Sequence, residues 1–254
     1  MSLEITLQDH GELWAEAEQR LPPIVSADGL EIAYPMPPLL GDGYDRQIEI
    51  QPDVELCVFD GIYRQDVVLC IPENRHLVQF VVNLSGTVDS GEFGYRNAYR
   101  GYIGGSGIQQ PIQTFIPQGQ RLTRVNIHMQ PQILAQFFGT VEGDLLPILD
   151  LLVPEAEQPQ RVFSPLTTQA IRAVTQQIMH CRFTGITKRL YLQGKVLELI
   201  ALQLAGVSSL GSGERALKPE MMAGVQRAAA VLRSNLENPP DQTALAQGAI
   251  ANAH

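Results

Sequence analysis

Two stretches carry the residue types that could hold a ligand. Tyr95, Arg96, Tyr99, Arg100 and Tyr102 crowd one short segment, and Tyr63, Arg64, Arg75 and His76 flank the apolar run Val67 to Ile71. Guanidinium groups pair with oxygen anions and aromatic faces stack on rings, so such clusters suit an anionic aromatic molecule. The same residues also suit an exposed hairpin whose tyrosines cover a sheet and whose arginines are solvated. A further set comes after the turn Pro117-Gln118-Gly119. There Thr123, Val125, Ile127 and Met129 alternate with Leu122, Arg124, Asn126 and His128, so a strand has one apolar and one polar face. The polar face meets either water or a wet ligand cavity. The candidate ligand-binding residues are therefore Tyr95, Arg96, Tyr99, Arg100, Tyr102, Arg64, His76, Arg124 and His128.

Catalytic patterns are missing. The sequence has no Gly-x-Ser-x-Gly elbow, no phosphate loop ending in Gly-Lys-Ser/Thr and no Cys-x-x-Cys pair. The glycine-rich run Gly101 to Gly107 lies among strands, with no helix after it to present amides to a phosphate, and reads as a hairpin or loop. His76 and His128 lack a carboxylate at ligand spacing and are too few for a usual transition-metal site. No catalytic residue, metal or cofactor is expected.

The elements that must position these residues change character along the chain. Glu12 to Arg20 is helix-compatible and ends at Pro22-Pro23. The breaker-rich stretch through Gly41-Asp42-Gly43 reads as an arm, giving a first segment of 1–45. From 46 to 130 the period is two: Ile48 and Ile50; Val54, Leu56 and Val58; Val78, Phe80, Val82 and Leu84. Short strands without intervening helices indicate a sandwich or barrel, and a cupin-like jelly roll is the expected form. A metal-binding barrel of that kind would carry Pro-x-Gly-x-x-His and an asparagine four residues later. Pro117, Gly119 and Asn126 are in place, but Leu122 stands at the histidine position. The helical region 131–206 begins with Ile133, Leu134, Phe137 and Phe138. Ser164-Pro165 can cap and open a second helix, and Leu190, Leu197 and Leu204 recur at heptad spacing on a third. That stripe is either buried within the subunit or half of a homodimer seam. Residues 207–216, with Gly211-Ser212-Gly213, have linker composition.

After the linker, Met222, Val225, Ala229, Leu232 and Leu236 line one helix face. Asn238-Pro239-Pro240 ends that helix, and Thr243 to Ala246 suits a second, short one. Ala228 with Leu232, the Pro-Pro turn and Leu245-Ala246 resemble the start of the DNA-binding domain of AraC-type transcription regulators. The phrase Gly119-Gln120, Val125, Ile127, Met129, Pro131, Leu134, Phe137 and Phe138 is similar to the subgroup typified by the pyochelin regulator, whose members answer iron-loaded siderophores. The resemblance implies an α+β chain: a cupin-like effector-binding barrel, a helical region and a helix-turn-helix domain. It also implies a small-molecule effector, such as a ferric siderophore, and DNA as partner of the complete form. Gln242 replaces an apolar residue and Ile250 a turn glycine. Residues 217–254 are therefore expected to be an incomplete DNA-binding domain without its recognition helix, unable to hold its operator. The alternative is a free-standing cupin-like binding protein or enzyme with a helical appendage.

Gross composition bounds these readings. The chain has 254 residues, 44% apolar and 18% charged, with a net charge of -9, which opposes non-specific attraction to nucleic acid. Cys57, Cys70 and Cys181 are odd in number and widely spaced, as in a reducing compartment. With no signal-like start and no apolar run read as a membrane span, a cytoplasmic protein without membrane contact is expected.

Overall fold

The period-two segments fold into two facing sheets in the computed structural model, which describes residues 2–91, 94–138, 150–153 and 158–211. In chain order the strands are β1 (Ser2–Thr6), β2 (Ile24–Val25), β3 (Glu31–Pro35), β4 (Gly41–Gln51), β5 (Val54–Tyr63), β6 (Asp66–Ile71), β7 (Asn74–His76) and β8 (Val78–Ser85). They continue with β9 (Val88–Asp89), β10 (Tyr95–Arg96), β11 (Tyr102–Gly104), β12 (Gly107–Gln109), β13 (Ile112–Ile116), β14 (Arg121–Met129) and β15 (Val162–Phe163). The helices are α1 (Leu7–Arg20), α2 (Pro131–Phe138), α3 (Gln169–Met179) and α4 (Gly185–Gly211).

The large sheet runs β15-β11-β8-β14-β5-β4-β3-β2 and the smaller one β1-β6-β13-β9-β10, with β12 and β7 as a separate ribbon. This is a cupin-like β domain with helices against it. β14 sits between β5 and β8, paired antiparallel with both. Its apolar face, with Val125, Ile127 and Met129, joins Leu56, Val58, Phe80 and Val82 in a core closed by helix residues Leu134, Ile171, Ile178, Leu192, Leu199 and Ile200. A second core of Ile5, Met36, Leu40, Phe59, Val67, Ile116 and Leu122 fills one end of the space between the sheets. Leu122, at the position a metal barrel gives to histidine, is fully buried there.

Three expectations are corrected. The first 45 residues are more than a helix and an arm. β1 pairs in parallel with β6, and β3 pairs with β4, so the segment supplies strands to both sheets. α1 also starts earlier than Glu12, because Thr6 and Asp9 form a reciprocal capping box ahead of it. Ser164 and Pro165 do not open a helix. Val162–Phe163 adds an edge strand to β11, the Gly101 amide donates to the Pro165 carbonyl, and α3 begins only after Thr168, whose hydroxyl accepts from the Ile171 amide. Finally, one helix does meet the length and hydropathy of a membrane span: Gly185–Val207, 23 residues at mean hydropathy 1.3. Its Leu192, Val196, Leu199, Ile200 and Val207 are buried in the core against the sheet.

α4 continues to Gly211, into the stretch of linker composition. The segment 217–254, the side chain of Phe138 and the prolines at 147 and 154 lie outside the described residues. The chain divides into units 1–207 and 208–254, and both sheets with their cores belong to the first.

The glycine-rich run has a packing reason. A methyl group on Gly105 would sit 2.8 Å from the Leu152 carbonyl oxygen, which also accepts from the Ser106 amide at 2.7 Å. Gly105→Ala should therefore lower stability by about 1–3 kcal/mol in urea unfolding, because backbone and not a flexible side chain must move. An unchanged midpoint would show that the 150–153 segment yields freely.

Candidate functional site

Alternation along the strands turns polar side chains into the space between the sheets, where a cavity of about 270 Å³ remains beyond the second core. The large sheet contributes Tyr63 from β5, Gln79 and Val81 from β8, Tyr102 from β11, and Arg124, Asn126 and His128 from β14. Facing them are Leu69 and Ile71 of β6, Ile112, Thr114 and Ile116 of β13, and Arg96 of β10. α1 adds Leu7 and His10, and the ribbon adds His76 and Gln109. The polar face of β14 thus looks into a cavity and not into solvent.

Arg96 dominates the electrostatics. Its guanidinium lies 5.2 Å from the Tyr102 ring centroid and donates through Nη2 to Ser90 Oγ at 2.6 Å, while its buried Nε has no partner. Burial first, and then Arg124, pull its pKa down to about 10. Arg124 lies 5.3 Å from the Phe59 ring centroid. Burial and then the Arg124 charge lower His10, with Asp45 opposing. Burial, His76 and Arg124 push His128 down to about 4, and burial raises the Tyr102 and Tyr63 hydroxyls. No carboxylate is among the described lining residues; Asp45, on β4, acts from outside them. Among the described residues the cavity therefore holds two arginines and no counter-charge.

Of the residues expected to hold a ligand, Arg96, Tyr102, His76, Arg124 and His128 come together here. Four do not. Arg64 forms a bidentate pair with Asp42, at 3.0 and 2.6 Å, on the surface. Tyr95 points outward because its neighbour Arg96 points inward on the same strand, and Tyr99 is 78% exposed. Arg100 donates to the Ser164 carbonyl and fastens the loop after β10 to the chain leading into α3. His10, Gln79 and Gln109 carry no such expectation, and Asn126, placed on the polar face of its strand by the sequence, is not among the expected ligand contacts. Asn126 and Gln79 carry the same alternation signal as their strand mates, whereas nothing local marks His10, which reaches the site only because β1 docks on β6.

A metal does not fit these residues. Among the described residues, no group of three or more His, Cys, Asp or Glu is placed to hold one, and Cys57, Cys70 and Cys181 are free thiols. His128 Nε2 is instead engaged by the amide nitrogens of Gln79 at 2.8 Å and Asn126 at 2.5 Å.

The heptad leucines separate. Leu190 is 69% exposed and Leu197 44%, but Leu204 is 8% exposed and belongs to the core. On a straight α-helix a seven-residue repeat drifts by about 20° per heptad, so the stripe rotates from the outer face toward the sheet.

A cupin-like domain enclosing a cationic, polar cavity is the class that this architecture defines. The chain belongs to the family of the regulatory protein PchR N-terminal domain, whose model matches residues 41–221. No curated protein sequence matches it. Similar solved structures include ToxT from Vibrio cholerae strain SCE256 with a bound unsaturated fatty acid, at 7% identity over 77% of this chain and 68% of that one, TM-score 0.41. Others are the nickel(II) complex of the pirin YhhW from Escherichia coli (13% identity, 56% and 53% covered, TM-score 0.29) and an RmlC-like cupin protein from Ralstonia eutropha JMP134 (13%, 42% and 68%, 0.26). Membership of the family rests on the match over residues 41–221 alone.

Proposed function

We propose that this chain is the effector-binding part of a ligand-responsive, AraC-type transcription regulator that works in the cytoplasm. Its effector is a small anionic molecule, aromatic or apolar in body, of the siderophore kind or chemically similar. The observation that carries this reading is Arg96: a guanidinium whose buried Nε has no partner among the described residues, in a cavity whose described lining includes a second arginine and no carboxylate. Tyr102 and the aliphatic walls would hold the ligand's body, and the charge would sit between Arg96 and Arg124.

The loop after β10 offers the route outward. Arg100 of this loop donates to the Ser164 carbonyl, and Arg172 of α3 donates to the loop's Ala98 carbonyl, so a ligand that moves Arg96 pulls on the start of α3. A coupling free energy between cavity and helices is what a regulator of this kind requires. Thermal unfolding with ferric siderophores and simple aryl acids tests the reading. Ligand-dependent stabilisation without turnover supports it. A substrate consumed catalytically would favour an enzyme and sink it.

We further infer that Leu190 and Leu197, with Ile186 beside them, form a homodimer seam, since all three are exposed apolar residues on one helix. Leu190→Asp should then shift the sedimentation coefficient toward a monomer with little change in unfolding free energy per subunit. Leu204→Ala, in the core, should cost about 2–5 kcal/mol without changing the association state at temperatures where it stays folded. A monomeric wild type would remove the seam.

A further inference from the structure

Buried polar atoms normally find partners, so a set of unpartnered ones around a single space describes what that space receives. Four such atoms belong to residues that line this cavity: Arg96 Nε, Gln109 Nε2, Thr114 Oγ1 and Asn126 Oδ1. Two of them can only donate, one only accepts, and the threonine hydroxyl does either. A simple anion, which only accepts, satisfies the first pair and leaves Asn126 Oδ1 bare.

The imidazole of His128 adds a second surplus. The amide groups of Gln79 and Asn126 both converge on Nε2, at 2.8 and 2.5 Å. A ring nitrogen has one lone pair or one hydrogen, so it serves one of these amides and leaves the other's hydrogen-bonding capacity unspent, whichever way either amide is turned. This surplus lies on the same strand face as Arg124. Arg124, Asn126 and His128 occupy alternate positions of β14, so the amide–imidazole group starts about 7 Å from Arg124 and extends to about 13 Å along the strand. Val81, Leu69, Ile71, Ile112 and Ile116 supply apolar wall to the cavity.

Resting on the reading of this cavity as the effector site, we propose that the effector is two-headed. One end is an anion held by Arg96 and Arg124. The other carries a hydroxyl or amide that both donates and accepts, received by Asn126, His128 and Gln79. The body between them is a short apolar or aromatic spacer. Hydroxylated aryl acids are the simplest members of this chemical class.

The test uses isothermal titration of the full chain with 3-(4-hydroxyphenyl)propanoate and with 3-phenylpropanoate, which differ by the hydroxyl alone. The hydroxylated acid should bind at least about tenfold tighter, since the site's surplus polar groups go unpaired with the other. Asn126→Leu should bring that ratio close to one while leaving the affinity for 3-phenylpropanoate within about twofold, and Gln79→Met should reduce the ratio without disturbing β14. Equal affinities for the two acids in the wild type would overturn the second head and leave the anion site standing. So would a preference that survives both substitutions. Failure of both acids and of ferric siderophores to bind would remove the effector site itself, and the two-headed ligand with it.

Discussion

Arg96→Met should make the unliganded protein more stable and the liganded one far weaker. Arg96 is half-buried, its buried Nε has no partner among the described residues, and burial, followed by Arg124, draws its pKa down to about 10. A fall of that size below the ordinary guanidinium value corresponds to roughly 3 kcal/mol of unfavourable charge burial at neutral pH. The bond to Ser90 and the approach to Tyr102 recover part of this, so replacement by an unbranched apolar chain of similar length should raise the unfolding free energy by about 1–2 kcal/mol, a few degrees in Tm. Charge-assisted bonds to an anion contribute about 1.5–3 kcal/mol each, so binding of aryl acids should weaken by at least tenfold and up to about a hundredfold. Opposite signs in the two measurements are the signature of a group kept for a ligand. A variant that lost stability and kept binding would show that Arg96 is structural.

Stability should also fall as the solution is acidified from about pH 6.5 to pH 4, and His128 should be the main cause. Burial, followed by His76 and Arg124, pushes its folded-state pKa down to about 4, whereas an exposed imidazole titrates near ~6.5. In that window the unfolded chain takes up a proton that the folded one refuses, so the unfolded state gains with each step downward. The contribution is whole above about pH 6.5 and amounts to roughly 3 kcal/mol when complete. His10, lowered by burial and Arg124, adds in the same direction. His128→Gln should flatten the profile of urea midpoints between pH 4 and 7. An anion seated between the arginines offsets the Arg124 share of these shifts, which is smaller than the share due to burial, so binding above the ligand's own carboxyl range should draw protons from the buffer. A His128→Gln profile as steep as the wild type's would place the acid sensitivity elsewhere.

Much of the frame was legible because local pattern and global packing agree in it. β14 showed its two faces in nine residues, and Arg96, Tyr102, Arg124 and His128 were readable as candidate ligand contacts, which the fold gathers around one cavity. The sequence could not say whether the polar face of β14 met a cavity or water, because the alternation is the same in either case. Nor could it divide Tyr95 from Arg96, since that depends on how the two-residue β10 pairs with β9. His10 was illegible for a different reason. It enters the site through the parallel register of Ser2 with Asp66, a contact between distant parts of the chain that no local period encodes. The heptad leucines left two readings open, and the fold divides them: on an uncoiled helix a repeat of seven drifts, so Leu204 reaches the core while Leu190 and Leu197 stay exposed.

The two-sidedness of β14 bears on how this family can diversify. Its odd neighbours Val125, Ile127 and Met129 are committed to the helices, whereas 124, 126 and 128 answer only to the cavity. Inserting or deleting one residue would exchange the two sets at a stroke, and such lineages would be lost. Point replacements at the three even positions carry no such penalty. New cavity linings should therefore arise by substitution at fixed length, with the helices packed on the other face inherited unchanged.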